Sequence, residues 1–333
     1  MSELEERIYG ALIGVAAGDA MGMPSSMMSP EIIRSTFKTY ITDFLPAPKG
    51  HVIHDKMAAG QITDDTQQTL SLADSIIEKG FVDPHDVAKK LIEWAESVDA
   101  FDSMILGPST LRSLYAIKAG KSIEESGTAG DTNGAAMKIS PAGIFGMGNR
   151  EKTVDAVAKV CMATHNTNIA IAGASAVAMA VGKGITGEQD MNTIIAHAFQ
   201  AVELGMGKGR IWYGASIIDR TRLALEIVSG NSEKSEKLET LYKVIGAGVA
   251  MTETVPVCLA IAKLAEGNPV EAIQMATNLG GDCDTIASIT GGICGAISGS
   301  RAFPNKWIEI IERVNHLNLE GYARKLYQVV NKN

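Results

Sequence analysis

The sequence predicts an all-α fold, a single domain over residues 1–333 in which many helices are joined by long loops that carry the functional residues. Three observations support this prediction. Apolar residues recur at the three-and-four spacing of amphipathic helices along most of the chain. Alternating strand patterns are scarce, and the apolar–polar alternation at residues 51–53 is too short to count. Small side chains abound while aromatic residues make up only 5%, which suits helices packed backbone to backbone.

The helices follow from apolar spacing and from stop signals. The first is predicted over residues 6–19, where Ile8, Leu12 and Val15 share one side. The second is predicted over residues 66–78 and ends before Gly80, a residue typical of helix C-termini. The same spacing predicts ten more helices, at 84–97, 153–163, 168–181, 191–204, 221–228, 238–252, 255–266, 269–279, 285–298 and 304–315. The polar segment 231–237 is predicted to be a surface loop.

Two predicted helices carry glycine at every fourth position. These glycines are Gly10, Gly14, Gly18 and Gly22 in the first helix and Gly291, Gly295 and Gly299 near the C-terminus. Each glycine inside a helix costs roughly 1 kcal/mol relative to alanine, so a stripe of them needs a packing reason. We expect both helices to pack closely and to hold the adjacent acidic residues rigidly, namely Asp19 and the pair Asp282 and Asp284.

Composition and charge exclude several classes of protein. A formal net charge of −8 argues against a nucleic-acid binder with a broad basic surface. The longest apolar stretch, 169–182, is shorter than the ~20 residues of a membrane span, so we expect a buried helix and no membrane association. No secretion signal is visible, which predicts a cytoplasmic protein whose four cysteines, Cys161, Cys258, Cys283 and Cys294, are free thiols.

Two similar acidic motifs each begin an apolar helix. They are Thr63-Asp64-Asp65-Thr66 and Asp282-Cys283-Asp284-Thr285. Either motif alone is typical of a capped helix start. Asp282 and Asp284 are two residues apart, so in an extended segment both side chains project the same way. Together the motifs bring four carboxylates and several hydroxyls, and burying such a cluster without a cation is very unfavourable. The pattern therefore predicts a site for a hard divalent cation, Mg²⁺ or Mn²⁺ rather than Zn²⁺, since no Cys/His set has zinc spacing.

Seven short motifs carry a resemblance that extends from the first helix to about residue 300. They are Gly10-x3-Gly14-x3-Gly18-Asp19-Ala20-Met21-Gly22; Thr63-Asp64-Asp65-Thr66; Gly107-Pro108-Ser109-Thr110; Asn133-Gly134-Ala135-Ala136-Met137-Lys138; Thr164-His165; Glu253-Thr254-Val255-Pro256; and Gly280-Gly281-Asp282-Cys283-Asp284-Thr285. In this order and spacing the chain resembles the ADP-ribosylglycohydrolase family, which includes the dinitrogenase-reductase-activating glycohydrolases.

The resemblance implies an orthogonal multi-helix bundle with a two-metal Mg²⁺ or Mn²⁺ centre. The residues that match the family's metal ligands are Thr63, Asp64, Asp65, Asp282, Asp284 and Thr285. Asp284 matches a bridging carboxylate, and we assign catalytic roles to Asp65 and Asp284. The family cleaves the glycosidic bond at ribose C1″, usually between ADP-ribose and a side chain. A metal-bound water and nearby carboxylates suit the oxocarbenium-like transition state of that reaction.

Substrate contacts are predicted in two places. By resemblance, the diphosphate is held by Asn133, Gly134, Ala135, Ala136 and Met137, although from sequence alone a plain loop with a capped helix fits equally well. Lys138 stands where the family often has Arg, which keeps the charge and loses the planar fork. His165 matches a family histidine near the ribose or phosphate; a lone histidine at a helix start is otherwise more often structural. We interpret Glu253 as structural, and we expect His51 and His54 to border the cleft.

The catalytic base is where the chain departs from the family. Members that remove ADP-ribose from proteins commonly have a Glu shortly after the first glycine motif, and Ser26 stands there in this chain. Serine cannot act as a general base in the same way. We therefore assign the base to Asp102, with Asp99 as the fallback, because some family members use an Asp from this region. The alternative interpretation of either residue is an exposed loop Asp.

Three functions follow, in this order. The first is a metal-dependent hydrolase that acts on a ribosyl C1 bond of an ADP-ribosylated compound. The second keeps the metals and acts on a nucleoside or other N-riboside, and residues 133–138 then need not bind a diphosphate. The third is a catalytically silent structural or binding protein of the lens-crystallin kind, against which the intact ligand set argues. The oligomeric state does not follow from the sequence.

Overall fold

A computed structural model describes residues 1–103 and 105–332 of the chain. Within this part the chain forms α-helices and isolated bridges but no β-strand, which confirms the all-α prediction. The α-helices in chain order are α1 Glu3–Gly22, α2 Pro30–Phe37, α3 Asp64–Lys79, α4 Pro84–Ser97, α5 Pro108–Lys118, α6 Ile123–Ser126, α7 Gly134–Met137, α8 Ser140–Gly146, α9 Arg150–Cys161, α10 Asn168–Ile185, α11 Met191–Gly205, α12 Ile217–Ser229, α13 Lys234–Val244, α14 Met251–Leu264, α15 Pro269–Thr277, α16 Cys283–Ser298, α17 Asn305–Asn315 and α18 Leu319–Val330.

The two glycine stripes pack directly on each other and form the centre of the fold. A Cβ atom added to Gly14 would lie 2.0 Å from the carbonyl oxygen of Gly291, and one added to Gly18 would lie 2.0 Å from that of Ala287. The backbones of α1 and α16 are therefore in contact along both helices, as the stripes predict. This contact fixes Asp19, near the C-terminal end of α1, relative to Asp284, in the first turn of α16.

Helix α10 is the buried helix that the sequence predicts. It is long and apolar enough to cross a membrane by length and composition, and 94% of the 18-residue segment is buried inside the protein. Helices α8, α9, α11 and α16 surround it. A helix at the centre of a protein core meets the same length and composition criteria, so burial accounts for its apolar surface. The four cysteines are likewise buried, and all are free thiols as predicted.

The prediction of one helix over 238–252 is wrong. Helix α13 ends at Val244 and α14 begins at Met251, and between them Gly246 adopts a φ of +88° that other residues rarely take. The intervening loop contributes to the site, because its Ala247 carbonyl accepts a hydrogen bond of 2.7 Å from the backbone N–H of Asp282. The predicted surface loop 231–237 is also too long, since α13 begins at Lys234.

Several helices have no counterpart in the sequence prediction, namely α2, α5, α6, α7, α8 and α18. Three of these missed helices have four to seven residues, too few to show a helical repeat. Helices α2 and α5 each begin with proline at the first helical position, a start signal that a periodicity search passes over. The long loop 38–63 precedes α3, residues 99–103 and 105–107 precede α5, and side chains from both segments line the candidate site.

Candidate active site

The two acidic motifs meet at the floor of a cavity of about 410 Å³. The motifs form the first turns of α3 and α16. These turns meet because α16 packs on α1 and because Asp19 of α1 binds the start of α3. The motif side chains that line the cavity are Asp64, Asp65, Asp282, Asp284 and Thr285. Apolar side chains from other loops, among them Ile105, Leu106 and Val249, cover the walls.

Asp19 holds the start of α3 in place. Its fully buried carboxylate accepts hydrogen bonds from the backbone N–H groups of Thr63, at 2.9 Å, and Thr66, at 3.1 Å, and from the Thr66 hydroxyl at 2.5 Å. Burial raises the pKa of Asp19 to about 6, although the hydrogen bonds from Thr66 and Thr63 oppose this shift. The sequence marks Asp19 only as a residue beside a glycine stripe, so this scaffold role was missed.

Asp65 connects the two motifs. Its Oδ2 atom accepts hydrogen bonds from the hydroxyls of Thr63, at 3.2 Å, and Thr285, at 3.3 Å. Its Oδ1 atom is buried and has no hydrogen-bond partner. An unpaired carboxylate oxygen away from water is costly, so this atom requires a further partner such as a proton or a cation.

Asp284 is held by two loops that precede α3. The Ser26 hydroxyl donates to Oδ1 of Asp284 at 2.6 Å, and Nε2 of His54 lies 2.9 Å from Oδ2. Ser26 itself is positioned because the backbone N–H of Met27 donates to the Gly281 carbonyl at 2.6 Å. His54 lines the cavity as expected, but its contact with Asp284 was missed because no spacing rule relates residues 230 positions apart.

Asp282 is held by Asn133. The side-chain amide of Asn133 donates to Oδ2 of Asp282 at 2.5 Å and to the Thr254 hydroxyl at 3.0 Å. Glu253 accepts a hydrogen bond from the backbone N–H of Gly248 at 2.9 Å, which agrees with its structural interpretation. The loop before α7 and the start of α14 thus fix Asp282, the first carboxylate of the α16 motif.

The carboxylates of the cluster titrate far from their ordinary range. Burial and the Asp284 charge raise the pKa of Asp64 to about 7, and burial with the neighbouring carboxylates raises those of Asp65 and Asp282 well above the usual value. Burial also disfavours the Asp284 anion, but the hydrogen bond and charge of His54, with the Ser26 hydroxyl, lower its pKa to about 2. The cluster therefore concentrates negative charge that protons or a cation must balance.

The oxygen donors of the two motifs are of the kind that a hard divalent cation binds, although the side chains are not arranged around a common point. In the part of the chain that the structure describes, no three His, Cys, Asp or Glu side chains form a ready metal-binding group. The carboxylates are instead held by other partners, because Asn133 binds Asp282 while Ser26 and His54 bind Asp284. The unpaired oxygen of Asp65 and the neighbouring carboxylates are the ligands that Mg²⁺ and Mn²⁺ prefer.

The predicted phosphate loop only partly faces the cavity. Asn133, Gly134 and Met137 line it, whereas Ala135 and Ala136 are buried in the core. Lys138 is 1% exposed and lies behind the loop, where its Nζ donates to Gln68 Oε1 at 3.0 Å and to the Gly134 carbonyl at 2.6 Å. Among the described residues that line the cavity there is no Lys or Arg.

The remaining predicted residues lie at different distances from the cavity floor. His165 is fully buried, with its ring nitrogens 3.0 Å from the Thr132 hydroxyl and 2.8 Å from the Thr164 hydroxyl. Burial lowers the pKa of His165 well below its ordinary value, so the ring is neutral. Asp102 belongs to a 3₁₀ turn at residues 100–102 and is not among the cavity-lining side chains, although Ser103 is.

Comparison with known proteins indicates the family of the chain. The family model for ADP-ribosylglycohydrolase matches residues 1–333. The chain is 36% identical over 329 residues to the "uncharacterized protein YegU" of Escherichia coli K12, which covers 96% of each chain. It is 24% identical over 324 residues to the ADP-ribosyl-[dinitrogen reductase] glycohydrolase of Rhodospirillum rubrum, covering 93% of this chain and 91% of that one.

A solved structure described as an ADP-ribosylglycohydrolase-related protein complex has the same fold. It superposes with a TM-score of 0.70 at 23% identity, and the match covers 99% of this chain and all of the other. Because the family model matches the chain along its whole length, the chain belongs to the ADP-ribosylglycohydrolase family.

Proposed function

We propose that the protein is a divalent-cation-dependent glycohydrolase that cleaves the ribosyl C1 bond of an ADP-ribosylated compound. Family membership supports a hydrolase that acts on ADP-ribosyl linkages. One observation of the site carries the metal dependence: the Oδ1 atom of Asp65 is buried without a partner among three other cavity-lining carboxylates. A cation bound there would satisfy that oxygen and balance the charge of the cluster.

The proposed ligands of two Mg²⁺ or Mn²⁺ ions per chain are six of the residues in the two motifs, namely Thr63, Asp64, Asp65, Asp282, Asp284 and Thr285. Asp65 and Asp284 both line the cavity, at the α3 and α16 starts, and Asp284 is the proposed bridging carboxylate. Bound cations would lower the pKa of a water molecule and fix the ribose hydroxyls. The protein's own contribution is to hold these carboxylates: Asp19 fixes the α3 turn and Asn133 fixes Asp282.

The carboxylates also suit the reaction electrostatically. Cleavage at ribose C1 passes through a transition state with positive charge on the ring. Asp65 and Asp284 would stabilise that charge from the cavity floor, where apolar walls exclude water and strengthen the attraction. Asp102 remains the proposed base, and this role requires the turn at residues 100–102 to direct the Asp102 carboxylate toward the cavity.

A second candidate function rests on the position of Lys138. Because Lys138 is bonded to Gln68 and Gly134 behind the loop, no Lys or Arg side chain among the described lining residues is directed at a diphosphate. A nucleoside or another N-riboside carries no phosphate and would fit such a cavity. The family relationship favours the ADP-ribosyl substrate, and the absence of Lys and Arg from the described lining favours the smaller one.

A release assay over a substrate panel separates these functions. With Mn²⁺ or Mg²⁺ present, the panel contains ADP-ribosyl-arginine, ADP-ribosyl-serine, O-acetyl-ADP-ribose and common nucleosides. We expect release of ADP-ribose that stops when EDTA is added. Ribose released from nucleosides alone would establish the second function, and no release from any substrate would contradict both.

Three variants identify the residues responsible. Asp284→Asn should reduce turnover at least about 10²-fold while the protein remains folded. Asp102→Asn tests the proposed base, and wild-type turnover in this variant would remove Asp102 from the mechanism. Asp155→Asn is the matched control and should leave turnover unchanged, because Asp155 forms an exposed ion pair with Lys208 and neither residue is among those that line the cavity.

A further inference from the structure

His54 is a nitrogen donor within an otherwise oxygen-rich site. Its side chain is 7% exposed in the protein and lines the cavity. Nε2 of His54 lies 2.9 Å from Oδ2 of Asp284. Among the described residues, no other hydrogen bond found joins a histidine side chain to the acidic motifs. Whatever binds Asp284 at Oδ2 must therefore meet the imidazole of His54.

The loop that carries His54 is built to hold the ring in place. Nδ1 of His51 accepts hydrogen bonds from the backbone N–H groups of Ile53, at 3.2 Å, and His54, at 3.0 Å. The rings of His51 and His54 lie 5.1 Å apart between centroids. The backbone N–H of Ala47 donates to the Met57 carbonyl at 3.0 Å and closes the base of the loop. A loop with this many internal bonds positions its side chain before any ligand arrives.

The distance between the two atoms matches that between neighbouring ligands of one cation. Metal–ligand bonds of ~2.1 Å at right angles place adjacent donor atoms about 3.0 Å apart. The observed separation of Nε2 and Oδ2 is 2.9 Å. Neither atom would have to move far for a single ion to bind both. The ion would displace the proton that Nε2 shares with Asp284, and the neutral imidazole would keep its proton on Nδ1.

We propose that His54 is a direct nitrogen ligand of the cation that Asp284 binds, so that this site is a mixed nitrogen and oxygen site. The inference rests on the metal centre of the proposed function and adds a residue outside the two acidic motifs. Imidazole favours transition metals over Mg²⁺, whose preferred ligands are carboxylates, carbonyls and water. The site should consequently select Mn²⁺ over Mg²⁺ more strongly than an all-oxygen site does.

Pulsed electron paramagnetic resonance of the Mn²⁺-loaded full chain tests this directly. We expect ¹⁴N hyperfine coupling from a directly bound imidazole, which changes to the ¹⁵N pattern when the protein is grown with ¹⁵N-histidine. The coupling should vanish in His54→Gln and persist in His85→Gln, a control at an exposed position on α4. The wild-type spectrum shows whether an imidazole binds the ion, and loss of the coupling in a folded His54→Gln protein identifies His54 as that ligand.

Metal titration provides the second readout. In His54→Gln the Mn²⁺ affinity should fall at least about tenfold and the Mg²⁺ affinity by less, so the ratio of the two affinities decreases. Mn²⁺ that binds to wild type without nitrogen coupling would overturn the His54 assignment and leave the metal centre standing. If no Mn²⁺ binds at all, both the assignment and the metal-dependent function are contradicted.

Discussion

The glycine contact between α1 and α16 makes a quantitative prediction for Gly18→Ala. The added Cβ would lie 2.0 Å from the Ala287 carbonyl oxygen and 2.6 Å from the backbone nitrogen of Ser288. An ordinary carbon–oxygen contact needs about 3.3 Å, so the helices must separate by about 1.3 Å. No rotamer change relieves this clash, because both partners are backbone atoms of a buried helix. Overpacking of this kind costs about 3 kcal/mol, against which alanine recovers about 1 kcal/mol of helix propensity.

The net loss of about 2 kcal/mol should lower the melting temperature by roughly 3 °C or more, since a chain of 333 residues unfolds with an entropy of ~0.7 kcal/mol/K. Differential scanning calorimetry measures the shift. The control is Gly230→Ala, at an exposed position with extended backbone where the new Cβ comes no closer than 3.4 Å to the Ile227 carbonyl. Here alanine should be neutral or slightly stabilising. A Gly18→Ala protein as stable as wild type would refute the packing argument.

Three further predictions concern buried polar groups around the site. Because burial keeps His165 neutral in the folded state, the free energy of unfolding should fall as the pH drops below about 6.5, by up to about 1.4 kcal/mol per pH unit. Urea unfolding should show a smaller pH dependence in His165→Gln, and the same dependence in wild type and variant would contradict this prediction. Burial lowers the pKa of Lys138 from 10.5 to about 8, so this group should add up to about 3 kcal/mol of stability as the pH rises between those values. Unfolding midpoints at pH 7.5 and 10 should show that gain in wild type and lack it in Lys138→Met. Asn133→Ala leaves Asp282 without its 2.5 Å hydrogen bond. Calorimetric titration should show that this variant binds Mn²⁺ about tenfold or more weakly than wild type, and unchanged binding would show that Asn133 does not position Asp282.

The periodic parts of the sequence predict the fold well. The glycine stripes of α1 and α16 predict a close helix pair, because close packing is needed to offset the loss of helix stability that each glycine causes. The structure contains that pair. The long helices were found within a few residues of their ends. The break after Val244 was missed, since Gly246 interrupts an apolar repeat that reads as continuous.

The candidate site was predictable where its residues share a helix start. Repeated Thr-Asp patterns marked both acidic motifs, and charge alone argued that they share a cation. Their partners were harder to find, because Asp19, Asn133 and His54 reach the motifs through contacts between distant segments. The position of Lys138 behind its loop could not be predicted either, since burial of a lysine depends on the tertiary partners that accept its hydrogen bonds.

The number of Mn²⁺ ions bound per chain tests the central claim most directly. Equilibrium dialysis of the EDTA-stripped protein against Mn²⁺, followed by elemental analysis, measures it without any assumption about the substrate. The account predicts two ions per wild-type chain and a clear loss in the folded Asp65→Asn and Asp284→Asn variants. A wild-type protein that binds no Mn²⁺, or an Asp65→Asn protein that binds two ions as tightly as wild type, would contradict it.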